Sequence, residues 1–374
     1  MSTVIDTATP ADPIAGASAS PHAIAVFRAL QLGDLLCSVP ALRALRQAYP
    51  DAHVTLVGLP NAAPFVERFG DYVDELMVFP GIAAFPEQAA REDELPAFYA
   101  RARARHFDLA IQLHGSGRQS NAIVEGLGST RWAGFVPDAC QARAGCRMLW
   151  PDGLPEPLRY TALMHHLGVR VDSHDLEFPL TAADRIAGQA LARQAGLRPA
   201  QTILMHPGAR LPSRRWPVER YAAVGRALQA QGWRVAITGS SDEAALAATL
   251  RAALGSDAVD LSGRTQLGAL AALMRDCALL VCNDTGVSHI AAGVGAPSVV
   301  IACGSDAARW APLDRTRHKV LFHDLPCRPC AHRVCPIGHP CATAVGVEDV
   351  LAAVQAKLGI CDAPKPQPVT WSTS

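Results

Sequence analysis

The sequence predicts an α/β protein of two domains, and three observations carry that prediction. Apolar runs of strand length alternate with stretches of helical spacing along nearly the whole chain, the pattern of parallel sheets with helical crossovers. Hydrophobic residues make up 49% of the chain but aromatics only 6%, an Ala- and Leu-rich mixture suited to helices packed on sheets rather than to a β-sandwich. At 374 residues there is chain enough for two cores.

Lys+Arg and Asp+Glu both number 34, so the formal net charge is zero and no global field points to nucleic acid. Any anion site is therefore local. Residues 1–21 are rich in Ala, Ser, Thr and Pro, carry Asp6 and Asp12, and lack a basic start and an unbroken apolar segment. They read as a disordered tail, not a signal peptide. No window holds the apolar run of a membrane span, so a cytoplasmic location is expected, with most of the 11 cysteines reduced. Their odd number argues against a fully paired disulfide framework.

In the first domain, expected over 22–178, a buried strand at 23–27 leads through residues 28–34 to a helix at 35–48. Gly33 permits a close backbone approach, and Asp34 falls at the helix start, as a general base or as an N-cap. Pro40 is expected in the opening turns, where it need not break the helix. Further strands follow at 53–57, 72–79, 109–113 and 131–135, and the arginines at 101, 103 and 105 read as a solvated helix face. After the 109–113 strand, His114-Gly115-Ser116-Gly117-Arg118 places small residues and a cation at the carboxyl edge. Arg118 reads as a contact for an anionic acceptor group or as a surface charge. A Pro- and Gly-rich stretch at 151–157 precedes a helix at 160–167, whose His165 and His166 point about 100° apart and make a poor metal pair.

The second domain, expected over 179–360 with a loose tail at 361–374, repeats the pattern. A strand at 202–206 opens into a Pro- and Gly-rich loop with Arg210, Arg214 and Arg215, ending at Trp216-Pro217 before a helix. Arg214 or Arg215 can neutralise a leaving pyrophosphate, and Trp216 reads as a packing anchor. After a strand at 233–238, Glu243 either holds a ribose or caps a helix. Residues 260–265 form a short strand and turn, followed by a helix at 267–275. Then an apolar run at 278–281, the turn Asn283-Asp284-Thr285-Gly286, an Ala-rich helix and a second run at 298–301 make a strand, turn, helix, strand unit. Asp284 either caps that helix or meets a ligand, and Thr285, Gly286 and His289 are placed for a sugar diphosphate at the helix start. Three strand-ending loops converge with Asp284, which favours the ligand reading. Further on, Cys327, Cys330, Cys335 and Cys341 suit structural zinc, a local disulfide or free thiols.

The ordered set of motifs resembles the heptosyltransferases, glycosyltransferase family 9, over residues 22–358. It comprises Leu32-Gly33-Asp34 with Pro40-Ala41-Leu42, His206-Pro207-Gly208-Ala209 with Arg214-Arg215-Trp216-Pro217, Leu261-Ser262-Gly263-Arg264-Thr265, and Asn283-Asp284-Thr285-Gly286 with His289-Ile290-Ala291-Ala292. The resemblance implies a GT-B fold, two Rossmann-like domains with parallel sheets facing across a cleft, the acceptor on the first and an ADP-sugar on the second. It implies Asp34 as the base and Asp284, Thr285, Gly286, His289 and Glu243 as donor contacts. Arg214 stands where the family has a phosphate-binding lysine, a departure that keeps the charge and changes its geometry. The expected reaction is inverting, metal-independent transfer of a sugar from ADP-heptose or a relative to a lipid-linked lipopolysaccharide core glycan. No cofactor is expected, and contact with the membrane's inner face would be peripheral. A nucleotide-sugar epimerase and a non-catalytic nucleotide-sugar-binding protein are the competing readings. A dehydrogenase is weaker, because no G-x-G-x-x-G follows the first strand.

Overall fold

The computed structural model describes residues 20–143, 146–330 and 332–359. The expected C-terminal tail, and the expected N-terminal tail up to residue 19, lie outside the described residues. The chain divides into two compact units, one ending at Leu176 and the other beginning at Glu177.

In the first unit β1 (Ala23–Phe27), β2 (His53–Gly58), β3 (Glu75–Val78), β4 (Leu109–Gln112), β5 (Arg131–Val136) and β6 (Arg147–Leu149) form one parallel sheet, ordered β3-β2-β1-β4-β5-β6. In the second, β7 (Thr202–His206), β8 (Arg234–Ile237), β9 (Val259–Asp260), β10 (Leu279–Asn283), β11 (Ser298–Ile301) and β12 (His318–Leu321) are ordered β12-β11-β10-β7-β8-β9. Each sheet starts in its middle, fills one side and then crosses to the other. The reversal opens a crevice at the carboxyl ends of β1 and β4 in one unit, and of β7 and β10 in the other, where open α/β sheets bind ligands.

The central strands are continuous apolar runs because helices cover both faces. Ile24, Phe27, Val54, Leu56 and Ile111 are wholly buried in the first unit, as are Ile203, Leu204, Val281 and Val300 in the second. The helix Leu32–Ala48 packs against Glu156–His166 in the first unit. In the second, Ala182–Gln194 packs against Leu267–Asp276. Gly188 permits that approach, since a Cβ there would lie 2.9 Å from the Ala272 Cβ. Ala182–Gln194 begins on a capping box, Thr181 Oγ1 accepting from Asp184 N at 3.1 Å and Asp184 Oδ2 from Thr181 N at 2.9 Å.

Several bounds differ from expectation. The first helix begins at Leu32 rather than 35, which puts Asp34 inside its first turn and Pro40 in its interior. The helix expected at 160–167 spans Glu156–His166, because proline fits a first helical turn and the preceding Pro-rich stretch does not end there. The edge strands β6 and β12 had no expectation behind them. Among the described residues no helix is long and apolar enough to cross a membrane.

Candidate active site

In the first unit the loop after β1 runs into the helix Leu32–Ala48, whose N-cap is Gln31. Asp34 is therefore a first-turn residue and not the cap, so the capping alternative falls away. A carboxylate in that turn faces the positive end of the helix dipole. Beneath it lies Arg28, wholly buried although it is the first residue beyond β1. Its Nε donates to the Asp34 main-chain oxygen at 2.7 Å, and its Nη1 donates to the Leu113 carbonyl and to the Tyr160 hydroxyl, the latter at 2.6 Å. Its Nη2 lies 3.8 Å from Oε1 of the wholly buried Glu156, whose Oε2 accepts from Arg159 Nη1 at 2.7 Å. Burial opposes the Arg28 charge, but Tyr160, Asp34 and Glu156 together outweigh it and raise the guanidinium pKa.

The loop after β4 carries His114 and Arg118. His114 stacks on Phe27 and Phe85, with ring centroids 5.4 and 4.2 Å away, and its Nδ1 accepts from Ala29 N at 3.3 Å. Burial, helped by the nearby Arg28 charge, lowers the imidazole pKa to about 3, so it is neutral at physiological pH. Gly117 has φ +88°, and a Cβ there would run into the Phe135 carbonyl and the Asn121 carboxamide. Beyond that tight point Arg118 is exposed and borders a cavity of about 290 Å³ formed with Ala84, Phe85, Pro86 and Glu87.

In the second unit the helix Gly286–Val294 has Thr285 as N-cap, so Asp284 precedes the cap. Among the described residues the Asp284 carboxylate takes no hydrogen bond, and only its main-chain N is engaged, donating to Ile301 O at 3.0 Å. The start of that helix, with Thr285 and Gly286 partly exposed, is a built-in anion partner. His289, one turn on, is 5% exposed and meets the Trp310 ring edge-on at 6.2 Å.

Directly before this turn sits Asn283, a wholly buried carboxamide closing an apolar strand. Its Oδ1 accepts from Trp216 N at 2.9 Å, and its Nδ2 donates to the Pro207 and Gly208 carbonyls at 2.8 and 3.1 Å. It staples the β10 turn to the loop after β7. Neither Asn283 nor Arg28 had been given a role from the sequence. The available signal was a polar side chain ending an otherwise apolar strand.

Glu243 is the third residue of a short turn capped by Ser240. Its Oε2 accepts from Ser240 N at 2.9 Å and lies 3.7 Å from His206 Nε2. The capping alternative thus holds for this residue, while its other oxygen faces Gly208, where a Cβ would collide with the carboxylate. Burial holds the His206 imidazole below its usual pKa against the pull of Glu243, and its Nδ1 is 3.1 Å from Thr238 Oγ1.

Trp216 is the expected anchor, 2% exposed, edge-on to Tyr221 and donating from Nε1 to Val345 O at 3.1 Å. Arg215 donates to Ala209 O at 2.8 Å, within its own loop. Arg214 reaches elsewhere, donating from Nη2 to the Cys330 carbonyl at 3.0 Å. The same cysteine-rich segment holds Ser213 through the His332 and Arg333 carbonyls at 2.5 and 3.1 Å, and through His339 Nε2 on Ser213 O at 2.7 Å. The segment is a strap over the arginine loop.

The segment also carries the four cysteines for which zinc, a local disulfide and free thiols were the alternatives. Among the described residues no group of three His, Cys, Asp or Glu side chains is arranged to hold a metal ion. Cys327, Cys330, Cys335 and Cys341 are free cysteines. Cys341 is buried in the hydrophobic core and its pKa is raised by that burial, while Cys335 Sγ accepts from His339 N at 3.2 Å.

Two Rossmann-like units of one topology, each with polar loops gathered at its crossover, define an α/β protein of the GT-B class. The family model for glycosyltransferase family 9 (heptosyltransferase) matches residues 97–340. Lipopolysaccharide heptosyltransferase 2 of Salmonella typhimurium is 26% identical over 72% of this chain and 79% of its own. Two solved structures share the fold. The glycosyl transferase family 9 protein of Veillonella parvula has a TM-score of 0.73 at 22% identity, covering 90% of this chain and 97% of that one. The ADP-heptose lps heptosyltransferase II of E. coli has a TM-score of 0.68 at 21% identity, covering 90% and 98%. The chain belongs to glycosyltransferase family 9, the heptosyltransferases, and is a glycosyltransferase of that kind.

Proposed function

We propose that the protein transfers heptose from ADP-heptose to a lipopolysaccharide inner-core or related lipid-linked glycan, by an inverting displacement that needs no metal. What supports the donor is the pair of relatives whose names describe lipopolysaccharide heptosyltransferases, one of them specifying ADP-heptose. The observation that carries the mechanism is the position of the candidate residues within each unit. Asp34 and Arg118 follow the two strands that flank one crossover, β1 and β4. Arg214 and the Asp284, Thr285, Gly286, His289 turn follow those that flank the other, β7 and β10.

Asp34 takes the proton from the acceptor hydroxyl as that oxygen attacks the anomeric carbon, and Arg118 holds an anionic group of the acceptor. The bond to the β-phosphate oxygen breaks on the opposite face. The departing diphosphate gains charge at the Gly286–Val294 helix start, with Arg214 from the loop after β7 supplying the cation, which is the work a metal would otherwise do. Asp284, Thr285 and His289 meet the sugar and its phosphates, and Glu243, through the carboxylate oxygen its capping bond to Ser240 N leaves over, orients the nucleoside from the neighbouring strand end. Catalysis takes place in the cytoplasm, with the acceptor lipid bringing the protein to the membrane face.

The test is transfer of label from ADP-heptose to a heptose-deficient core acceptor, with the anomeric configuration of the product read by NMR. Transfer with inversion is expected. Retained configuration, or label that stays on the nucleotide sugar as an epimer, would remove the reading.

A further inference from the structure

Arg28 is a charge buried where an apolar side chain would be cheaper. A guanidinium taken out of water needs its donors matched, and exchanging a buried ion pair for well-packed apolar groups is often neutral or stabilising. Its presence calls for a reason other than stability. Nε and Nη1 are hydrogen-bonded to the Asp34 main-chain oxygen, the Leu113 carbonyl beyond β4 and the Tyr160 hydroxyl, while Nη2 has only the 3.8 Å ion pair with Glu156 on the Tyr160 helix, so the partners come from three separate stretches of the first unit. The guanidinium carbon also lies 4.4 Å from the centroid of the Tyr160 ring. Only a planar fork with donors in several directions reaches all three at once; an ammonium, a point charge, does not.

We infer that Arg28 is the positioning residue for the candidate base. Its side chain fixes the helix start that carries Asp34 against the β4 loop that carries Arg118, so the carboxylate and the acceptor-binding arginine are set by one buried group. The inference rests on the reading of Asp34 as base. Displacement of a catalytic group by about 1 Å costs roughly 100-fold in rate, so a loosened anchor shows in turnover rather than in donor binding. No proton, electron or bond changes at Arg28.

The experiment compares Arg28→Met, Arg28→Lys and Tyr160→Phe with Asp34→Asn in steady-state transfer, with ADP binding by calorimetry. Arg28→Met is expected to lower kcat about 100-fold and raise the acceptor KM, with the ADP Kd within about twofold of wild type. Arg28→Lys, which keeps the charge and loses the fork, falls in between. Tyr160→Phe, which keeps the ring and removes one partner, lowers kcat less. Where Arg28→Met does not fold, the other two carry the comparison. Wild-type kcat in Arg28→Lys and Tyr160→Phe beside an inactive Asp34→Asn would overturn the positioning role alone. A weakened ADP Kd would overturn it too, by showing a general structural loss. Wild-type kcat in Asp34→Asn would remove the base and this inference with it.

Discussion

The two units have the same strand order and anchor their crossover loops by opposite means. In the first, a buried cation, Arg28, lies under the helix start that carries Asp34. In the second, a neutral carboxamide, Asn283, lies under the turn that carries Asp284. The difference matches the roles proposed for the two edges. A carboxylate proposed as the base gains a positive charge beneath its helix start. The proposed diphosphate site draws on Arg214 and a helix start, and a neutral staple shapes the turn without adding a charge of its own. One topology thus supports two electrostatic roles through a single residue at the end of a central strand.

The largest expected effect breaks the comparison on the first side. Asp34→Asn keeps the shape of the first turn and removes the proton acceptor, so kcat should fall on the order of 10²- to 10⁴-fold. Stopped-assay kinetics on protein of unchanged melting temperature check this. A loss below tenfold would mean that another group takes the proton.

Next comes the staple on the second side. Asn283→Ala leaves Trp216 N and the Pro207 and Gly208 carbonyls without their buried partner. A loss on the order of 3 kcal/mol is expected in urea unfolding, since each buried polar group left unpaired costs about 1–3 kcal/mol. Donor affinity should fall with it. Full stability in the variant would show that the turn needs no staple.

A smaller effect reads the buried histidine beside the first site. With its pKa lowered to about 3, His114 stays neutral in the folded chain while it protonates in the unfolded chain below about pH 6.5. The unfolded state then binds the extra proton, so stability is lost as pH falls through that window, by about 1.4 kcal/mol per pH unit. Thermal melts between pH 4 and 7 should lose this part of their slope in His114→Asn. His318, lowered to about 4 by burial, keeps a similar contribution in the second unit, so the slope should shrink rather than vanish.

How much of this was legible beforehand depends on the distance between partners in sequence. The central strands, the helix starts and the loops with Asp34, Arg214 and Asp284 stand in continuous stretches whose periodicity and turn residues can be read directly. Arg28 cannot be read that way, because its Leu113 and Tyr160 partners lie 85 and 132 residues away. β6 and β12 pair only on one side, at the sheet edges, and lack the unbroken apolar run that marks a buried strand. The three acidic candidates had capping alternatives that the sequence left open. Local geometry resolves them in different directions, because Gln31 and Thr285 take the cap positions beside Asp34 and Asp284 while Ser240 recruits Glu243 into a capping box.

The central claim is a division of labour, with the base on the first unit and the donor diphosphate on the second. Calorimetric titration of ADP-heptose into Asp34→Asn and into Asp284→Ala tests it most directly. The account predicts near wild-type affinity for Asp34→Asn and a loss of about tenfold or more for Asp284→Ala, the effect of one strong polar contact. Donor binding lost in Asp34→Asn and retained in Asp284→Ala would contradict it.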